Sequence, residues 1–219
     1  MNSSKRYSRQ KELIPPERLA ASPATVIGVG AIGRQVALQL AAIGIKDLQL
    51  IDFDEVEESN VASQGYCEHD IGQLKVNATA AACRRINAEL RIDTIKTRFR
   101  RSMSLGDVIF CCVDSIDTRR LIWEATKDRT RFFTDGRMNA EVIRVLSASD
   151  PLSREHYPTT LFAAGEAHAG SCTAKSTIYT ANIAAGLMLG RFTQWLRGLP
   201  EEPDIMLNLL TSEIAVASS

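Results

Sequence analysis

The sequence predicts an α/β fold: a Rossmann-like, mostly parallel sheet with an antiparallel C-terminal extension. Three observations carry this. The run Thr25-Val26-Ile27 ends in Gly28, Gly30 and Gly33, spaced G-x-G-x-x-G, and a helix-like run over 34–43 follows and stops at Gly44. Strand-like and helix-like stretches then alternate, the pattern of repeated βαβ units. Residues 107–113 are almost continuously apolar, as a strand covered on both faces requires.

In chain order, residues 5–20 read as a helix or helix pair broken by Pro15-Pro16, with Lys5, Arg6, Arg9, Lys11 and Glu12 as its charged face. The first strand, glycine loop and first helix come next. Residues 47–53 form a second strand, and Asp52 near its tip lies 19 residues after Gly33. Residues 54–66 read as a long polar connection, a length often associated with function. A helix over 72–90 carries Ile71, Leu74, Val76, Ala80, Cys83, Ile86 and Leu90 as its apolar side. Lys75 falls in its first turn, where the helix dipole disfavours a cation but an anion could use one.

Residues 91–97 and 107–113 are the third and fourth strands. Asp117 is placed to cap a helix over 118–127. A short strand over 131–134, a turn over 135–139 and a strand over 141–149 follow. Residues 150–173 read as irregular, 174–196 as an apolar helix ended by Gly198-Leu-Pro200, and 205–210 with 212–217 as a closing pair of strands. No repeat or linker divides the chain, so residues 1–219 are expected to form one domain with an N-terminal helical arm over 1–22.

The 219 residues suffice for a full core, and 26 Lys+Arg balance 26 Asp+Glu. Zero net charge argues against a nucleic-acid partner bound through bulk charge. Residues 1–10 lack an apolar signal-peptide core, and 178–190 are too short and polar to span a membrane. Five cysteines, at 67, 83, 111, 112 and 172, form no C-x-x-C pair, so neither a disulfide framework nor structural zinc is expected, and a reducing cytoplasm fits.

The glycine loop opens two readings. A dinucleotide oxidoreductase using NAD would need only Gly28, Gly30, Gly33 and Asp52, and would leave Asn60, Gln64, Lys75 and Asp114 without roles. An ATP-dependent adenylating enzyme would use them, because attack on an α-phosphate needs cations around the phosphoryl oxygens. Lys75 offers one cation. Asp114, at a strand end beside the crevice, could hold Mg²⁺ on a triphosphate.

Six short pieces, in order, sharpen the choice: Arg6-Tyr-Ser-Arg-Gln10, the glycine loop, Leu50-Ile-Asp-Phe-Asp54, Glu58-Ser-Asn60, Asp70-Ile-Gly-Gln-Leu-Lys75, and Cys112-Val-Asp114 with Asp117-Thr-Arg119. In these the chain resembles the ubiquitin-activating E1-like adenylyltransferases, the group of ThiF, MoeB and HesA. The resemblance implies that Gly28, Gly30 and Gly33 line the ATP phosphates and Asp52 holds the ribose. It implies that Asp54, Asn60 and Gln64 share the pocket, that Lys75 neutralises phosphate, and that Asp114 binds Mg²⁺. It matches Arg9 to an arginine that reaches a neighbouring subunit's triphosphate, hence a homodimer. The implied reaction activates the C-terminal carboxylate of a small ubiquitin-like or sulfur-carrier protein, usually ending Gly-Gly, as an acyl-adenylate.

Three departures stand out. Ser63 replaces the arginine the family carries in Asn-x-x-Arg-Gln, leaving either Arg9, Arg34 or Arg137 to compensate or a nucleotide-binding member with lost activity. The paired C-x-x-C motifs are missing, and no separate catalytic-cysteine or ubiquitin-fold domain is expected within these 219 residues. Cys172 sits where family members carry an acyl- or sulfur-accepting cysteine in a crossover loop, while packing against the sheet is its plainer role. His168 is the other candidate in that segment.

Overall fold

The structure is a computed structural model that describes residues 3–162 and 177–216. Its strands are β1 (Ala24–Ile27), β2 (Asp47–Ile51), β3 (Arg91–Ile95), β4 (Val108–Cys111), β5 (Phe132–Asn139), β6 (Val142–Ala148), β7 (Asp204–Asn208) and β8 (Glu213–Val216). Its helices are α1 (Ser3–Arg6), α2 (Pro16–Ala20), α3 (Ala31–Ile43), α4 (Glu58–Gln64), α5 (Lys75–Ile86), α6 (Ile116–Thr126), α7 (Pro151–Thr159) and α8 (Ile178–Arg197).

The strands form one sheet in the order β3-β2-β1-β4-β5-β6-β7-β8. The first five are parallel to their neighbours, and β6, β7 and β8 are added antiparallel, as the sequence predicts. Every residue of β1 and β4 is buried. Alternation along β4 sends Val108 and Phe110 into one core with α3 and α8, and Ile109 and Cys111 into a second with Trp123, Phe133 and Tyr157. No helix among the described residues is long and apolar enough to cross a membrane.

The arm is a pair of short helices, α1 and α2, joined by turns, one of the two forms expected. Several other expectations are corrected. The polar connection over 54–66 contains α4, whose sequence Glu-Ser-Asn-Val-Ala-Ser-Gln has no apolar periodicity to announce it. The helix expected over 72–90 is only α5, because Leu74 and Asn87 are extended. Residues 135–139 continue β5 instead of turning, and the hairpin reverses one step later at Ala140, φ 52°. Residues 151–159 are helical, started by Pro151 and an Asp150 cap that accepts from Ser153 N at 3.1 Å. Ser115, not Asp117, caps α6, accepting from Thr118 N at 3.3 Å.

The arm is fixed to the C-terminal end of α3. Gly44 ends that helix in the left-handed region at φ 98°, and the Tyr7 ring fills the space a Cβ there would need, 2.7 Å away. Gln10 Nε2 donates to Ile43 O at 2.8 Å.

Glu201, leading into β7, accepts from Ser149 Oγ, while its other oxygen is buried without a partner among the described residues. Burial pushes its carboxyl up from 4.5 to about 7. A raised folded pKa gives stability that is present below pH 4.5 and lost as pH rises to about 7, at most about 3 kcal/mol before screening is discounted. Melting curves between pH 5 and 8 should show this loss in the wild type and a flatter response in Glu201→Gln. Identical slopes would remove Glu201 from the account.

Candidate active site

A cleft of about 870 Å³ opens at the C-terminal ends of β1, β2 and β4. The strand order reverses across β1, with β2 on one side and β4 on the other, and such a switch point leaves a crevice beyond the strand ends.

The glycine loop forms the floor. Gly28 has φ 85°, and a Cβ there would lie 2.8 Å from Cys112 O. A Cβ on Gly33 would lie 1.8 Å from Gly28 O, so the loop and α3 can meet only with glycine. Gly30 differs: the nearest atom to its Cβ position is Gln64 Oε1 at 3.8 Å, which leaves open space in the cleft. Gly30 is also the N-cap of α3 and brings no capping side chain, so the helix start is free to meet an anion.

The loop is held from two sides. Val29 N donates to Asp52 Oδ2 at 2.6 Å, and Tyr66 Oη donates to Val29 O at 2.6 Å. Asp52 Oδ1 also accepts from Asp54 N at 2.9 Å. The carboxylate expected to meet ribose thus braces the backbone first, with lone pairs remaining on both oxygens. Burial pushes the Tyr66 hydroxyl well above the usual tyrosine range, keeping it a donor.

The remaining expected residues converge on the same cleft. Lys75 is the first residue of α5, with 9% of its side chain exposed, and its Nζ lies 3.4 Å from Asp54 Oδ2. Asn60 is buried in α4, where its Oδ1 accepts from Glu57 N at 3.0 Å. Gln64 Oε1 is buried and has no hydrogen-bond partner among the described residues. Asp114, just past β4, is exposed, and its carboxylate has no ion pair or hydrogen bond among the described residues, although its carbonyl accepts from Arg119 Nη1 at 3.0 Å.

The cations sort differently from expectation. Arg34 is 3% exposed and donates to Gly65 O and Thr79 Oγ1, stacked over Tyr66 at 4.2 Å. Arg137 is fixed on Asp135 Oδ2 at 2.8 Å and Thr160 O at 2.9 Å. Both are already engaged and neither lines the cleft; Ser63, which stands where the resemblance implies an arginine, donates its Oγ to Ser59 O at 2.7 Å. The cleft's one arginine without a hydrogen bond or ion pair among the described residues is Arg98, which lies 4.1 Å over the Phe53 ring. The sequence reading missed it; its position just beyond the end of β3 was the available signal.

Arg9 is exposed and outside the cleft. It is anchored with the arm at the C-terminal end of α3, while the glycine loop lies at the N-terminal end of that 13-residue helix, about 20 Å away. Cys172 and His168 lie outside the described residues. Cys112, expected inside a strand, sits past the end of β4 and lines the cleft, its thiol pushed well up by burial. His156, which has no partner legible in the sequence, meets Asp204 Oδ2 at 3.0 Å.

Comparison with known proteins agrees with this architecture. A protein of E. coli, MccB, solved with AMPCPP and MccA, superposes with a TM-score of 0.77 at 17% identity, covering 99% of this chain and 72% of that one. PaaA superposes with a TM-score of 0.80 at 20% identity, covering 99% and 73%. In sequence, the chain is 38% identical over 134 residues to the adenylyltransferase and sulfurtransferase MOCS3 of Bos taurus, covering 55% of this chain and 29% of that protein. It is 32% identical over 128 residues to the SAMP-activating enzyme E1 of Haloferax volcanii, covering 53% and 47%. It is 30% identical over 125 residues to the molybdopterin-synthase adenylyltransferase of Haemophilus influenzae, covering 52% and 51%. The chain thus spans about half or less of the curated relatives it matches. The model of the ThiF family matches residues 7–214, and the chain belongs to that family.

Proposed function

We propose that this protein is an ATP-dependent adenylyltransferase that activates the C-terminal carboxylate of a small ubiquitin-like or sulfur-carrier protein ending Gly-Gly. The observation that carries this reading is the convergence of Lys75, Arg98 and the unpaired Asp114 on a glycine cradle whose Gly30 side is open. The donor set fits a nucleoside triphosphate: an uncapped helix start for phosphate, the orphaned Gln64 Oε1 for a donor group, and a free carboxylate for Mg²⁺. Mg²⁺, when bound, neutralises phosphate charge.

The chain's own residues do the rest. The loop and the start of α3 hold the phosphates, and Asp52 meets the ribose with its remaining lone pairs. Asp54, Asn60 and Gln64 complete the pocket. Lys75 and Arg98 face the charge that grows on the α-phosphoryl oxygens as a carrier carboxylate oxygen bonds to phosphorus and the bond to pyrophosphate breaks. No proton moves in that step. Arg9 reaches the triphosphate of a second copy, which makes the working unit a homodimer. Mixing Arg9→Ala with Lys75→Ala protein should recover activity that neither has alone; a mixture as inactive as its parts would sink the shared site.

Pyrophosphate exchange in the presence of ATP, Mg²⁺ and candidate carriers tests the reaction. ATP binding without exchange for any carrier would count against it, and tight NAD binding without ATP binding would favour a dehydrogenase. Arg98→Ala should slow exchange by roughly 10²–10³-fold, the scale of one lost transition-state contact, and Ser63→Arg in that background should restore part of the rate. Unchanged exchange in Arg98→Ala would dismiss Arg98 as the replacement cation.

A further inference from the structure

The turn between α4 and α5 carries three side chains that the nucleotide cleft does not use. A single 3₁₀ turn, Glu68–Asp70, brings Cys67, His69 and Asp70 together, and none of the three lines the cleft. One ligand atom from each lies within 4.8 Å of the other two. His69 Nε2 is 3.4 Å from Asp70 Oδ1. Asp70 is 4% exposed, and its Oδ2 accepts from Cys67 N at 2.9 Å, which fixes the carboxylate. Its Oδ1 faces only the imidazole among the described residues, too far for a short charge-assisted bond. A buried carboxylate oxygen so placed wants a cation.

We propose that Cys67, His69 and Asp70 form a binding site for Zn²⁺ or a cation of similar borderline character, separate from the nucleotide cleft. The donor set decides the class. Sulfur, imidazole nitrogen and one carboxylate oxygen suit Zn²⁺ or Co²⁺ in tetrahedral geometry, whereas Mg²⁺ and Ca²⁺ take oxygen ligands. Three protein ligands leave a fourth position for water or a ligand from elsewhere. The pieces lie at i, i+2 and i+3 within Cys67-Glu-His-Asp70, so the absence of C-x-x-C spacing does not speak against this site. One backbone and one side-chain bond already hold the turn: Gln73 N donates to Asp70 O at 2.9 Å, and Gln73 Nε2 donates to His69 O at 2.8 Å. The ligands are therefore largely in place before the metal arrives.

Co²⁺ titration of the chelator-treated full chain tests the site. One Co²⁺ per chain is expected, with thiolate-to-cobalt charge transfer and tetrahedral visible bands that Zn²⁺ abolishes by displacement. Cys67→Ser keeps an oxygen where the Cys67 sulfur caps the turn, so it should fold as the wild type does and lose the charge-transfer band. His69→Gln, an exposed change, should weaken Co²⁺ binding by at least about 10-fold. Absence of stoichiometric Co²⁺ binding in the wild type overturns the proposal. So does charge transfer that survives in Cys67→Ser, or that disappears in Cys172→Ser while Cys67 is intact, because either would take the thiolate from elsewhere.

Discussion

Lys75→Ala is expected to lower pyrophosphate exchange by roughly 10²–10³-fold while leaving the melting temperature almost unmoved. The two halves follow from one placement. Lys75 occupies the first turn of α5, where the helix dipole repels a cation, and its pairing with Asp54 at 3.4 Å joins a carboxylate that is 47% exposed. Its contribution to folding is small for both reasons. Under the proposed function, its place at the wall of the cleft offers charge to a phosphate instead. Exchange kinetics and calorimetry on the same preparation separate the roles. A large drop in melting temperature with normal exchange would make Lys75 a structural residue and remove the main support for adenylation.

Asp135→Ala carries the largest expected stability effect, roughly 3–5 kcal/mol. Asp135 is fully buried and accepts from Arg119 Nε at 2.8 Å, Arg137 Nε at 2.8 Å and Tyr157 Oη at 3.0 Å. Burial works against the Arg119 charge, and Asp135 more than offsets it, so the guanidinium is held above its ordinary range. Without Asp135, that charge is left buried and unanswered. For a chain of this size the loss corresponds to roughly 6–20 °C in melting temperature. Arg119 also donates to the carbonyls of Asp114 and Gly136, so the change should disturb the cleft even where the chain stays folded. A loss below about 1 kcal/mol in urea denaturation would mean the network contributes little beyond surface pairs.

The parts of the fold legible in the sequence were those with strong local signals. The β1–glycine–α3 unit, the buried β4 and the long α8 follow from glycine spacing and apolar runs. The α4 segment was hidden because its seven residues are almost all polar. Helix α7 was hidden by Pro158 near its end and by a core side consisting of Ser153 and Tyr157. Residues 135–139 resembled a turn because Asp-Gly usually marks one. There Asp135 is satisfied by two arginines and Tyr157, and Gly136 packs against Met188, whose Sδ would lie 2.5 Å from a Cβ at that position. At the cleft, Lys75 was legible as a cation misplaced in a helix first turn and Asp114 as a carboxylate at a strand end, and both line it; Arg9, singled out through resemblance alone, lies outside it. Arg98 was missed because its meeting with Phe53 joins residues 45 positions apart.

Under the proposed function, the double grip on Val29, by the Asp52 carboxylate on its N–H and the Tyr66 hydroxyl on its C=O, bears on the speed of nucleotide capture. The conformational freedom of the glycine loop is removed when the chain folds, not when ligand arrives. Nucleotide then enters a preset socket, and its association rate should show no saturating, rearrangement-limited phase. Loosening one grip with Tyr66→Phe would convert capture into a two-stage event, in which the loop must close around phosphate after first contact.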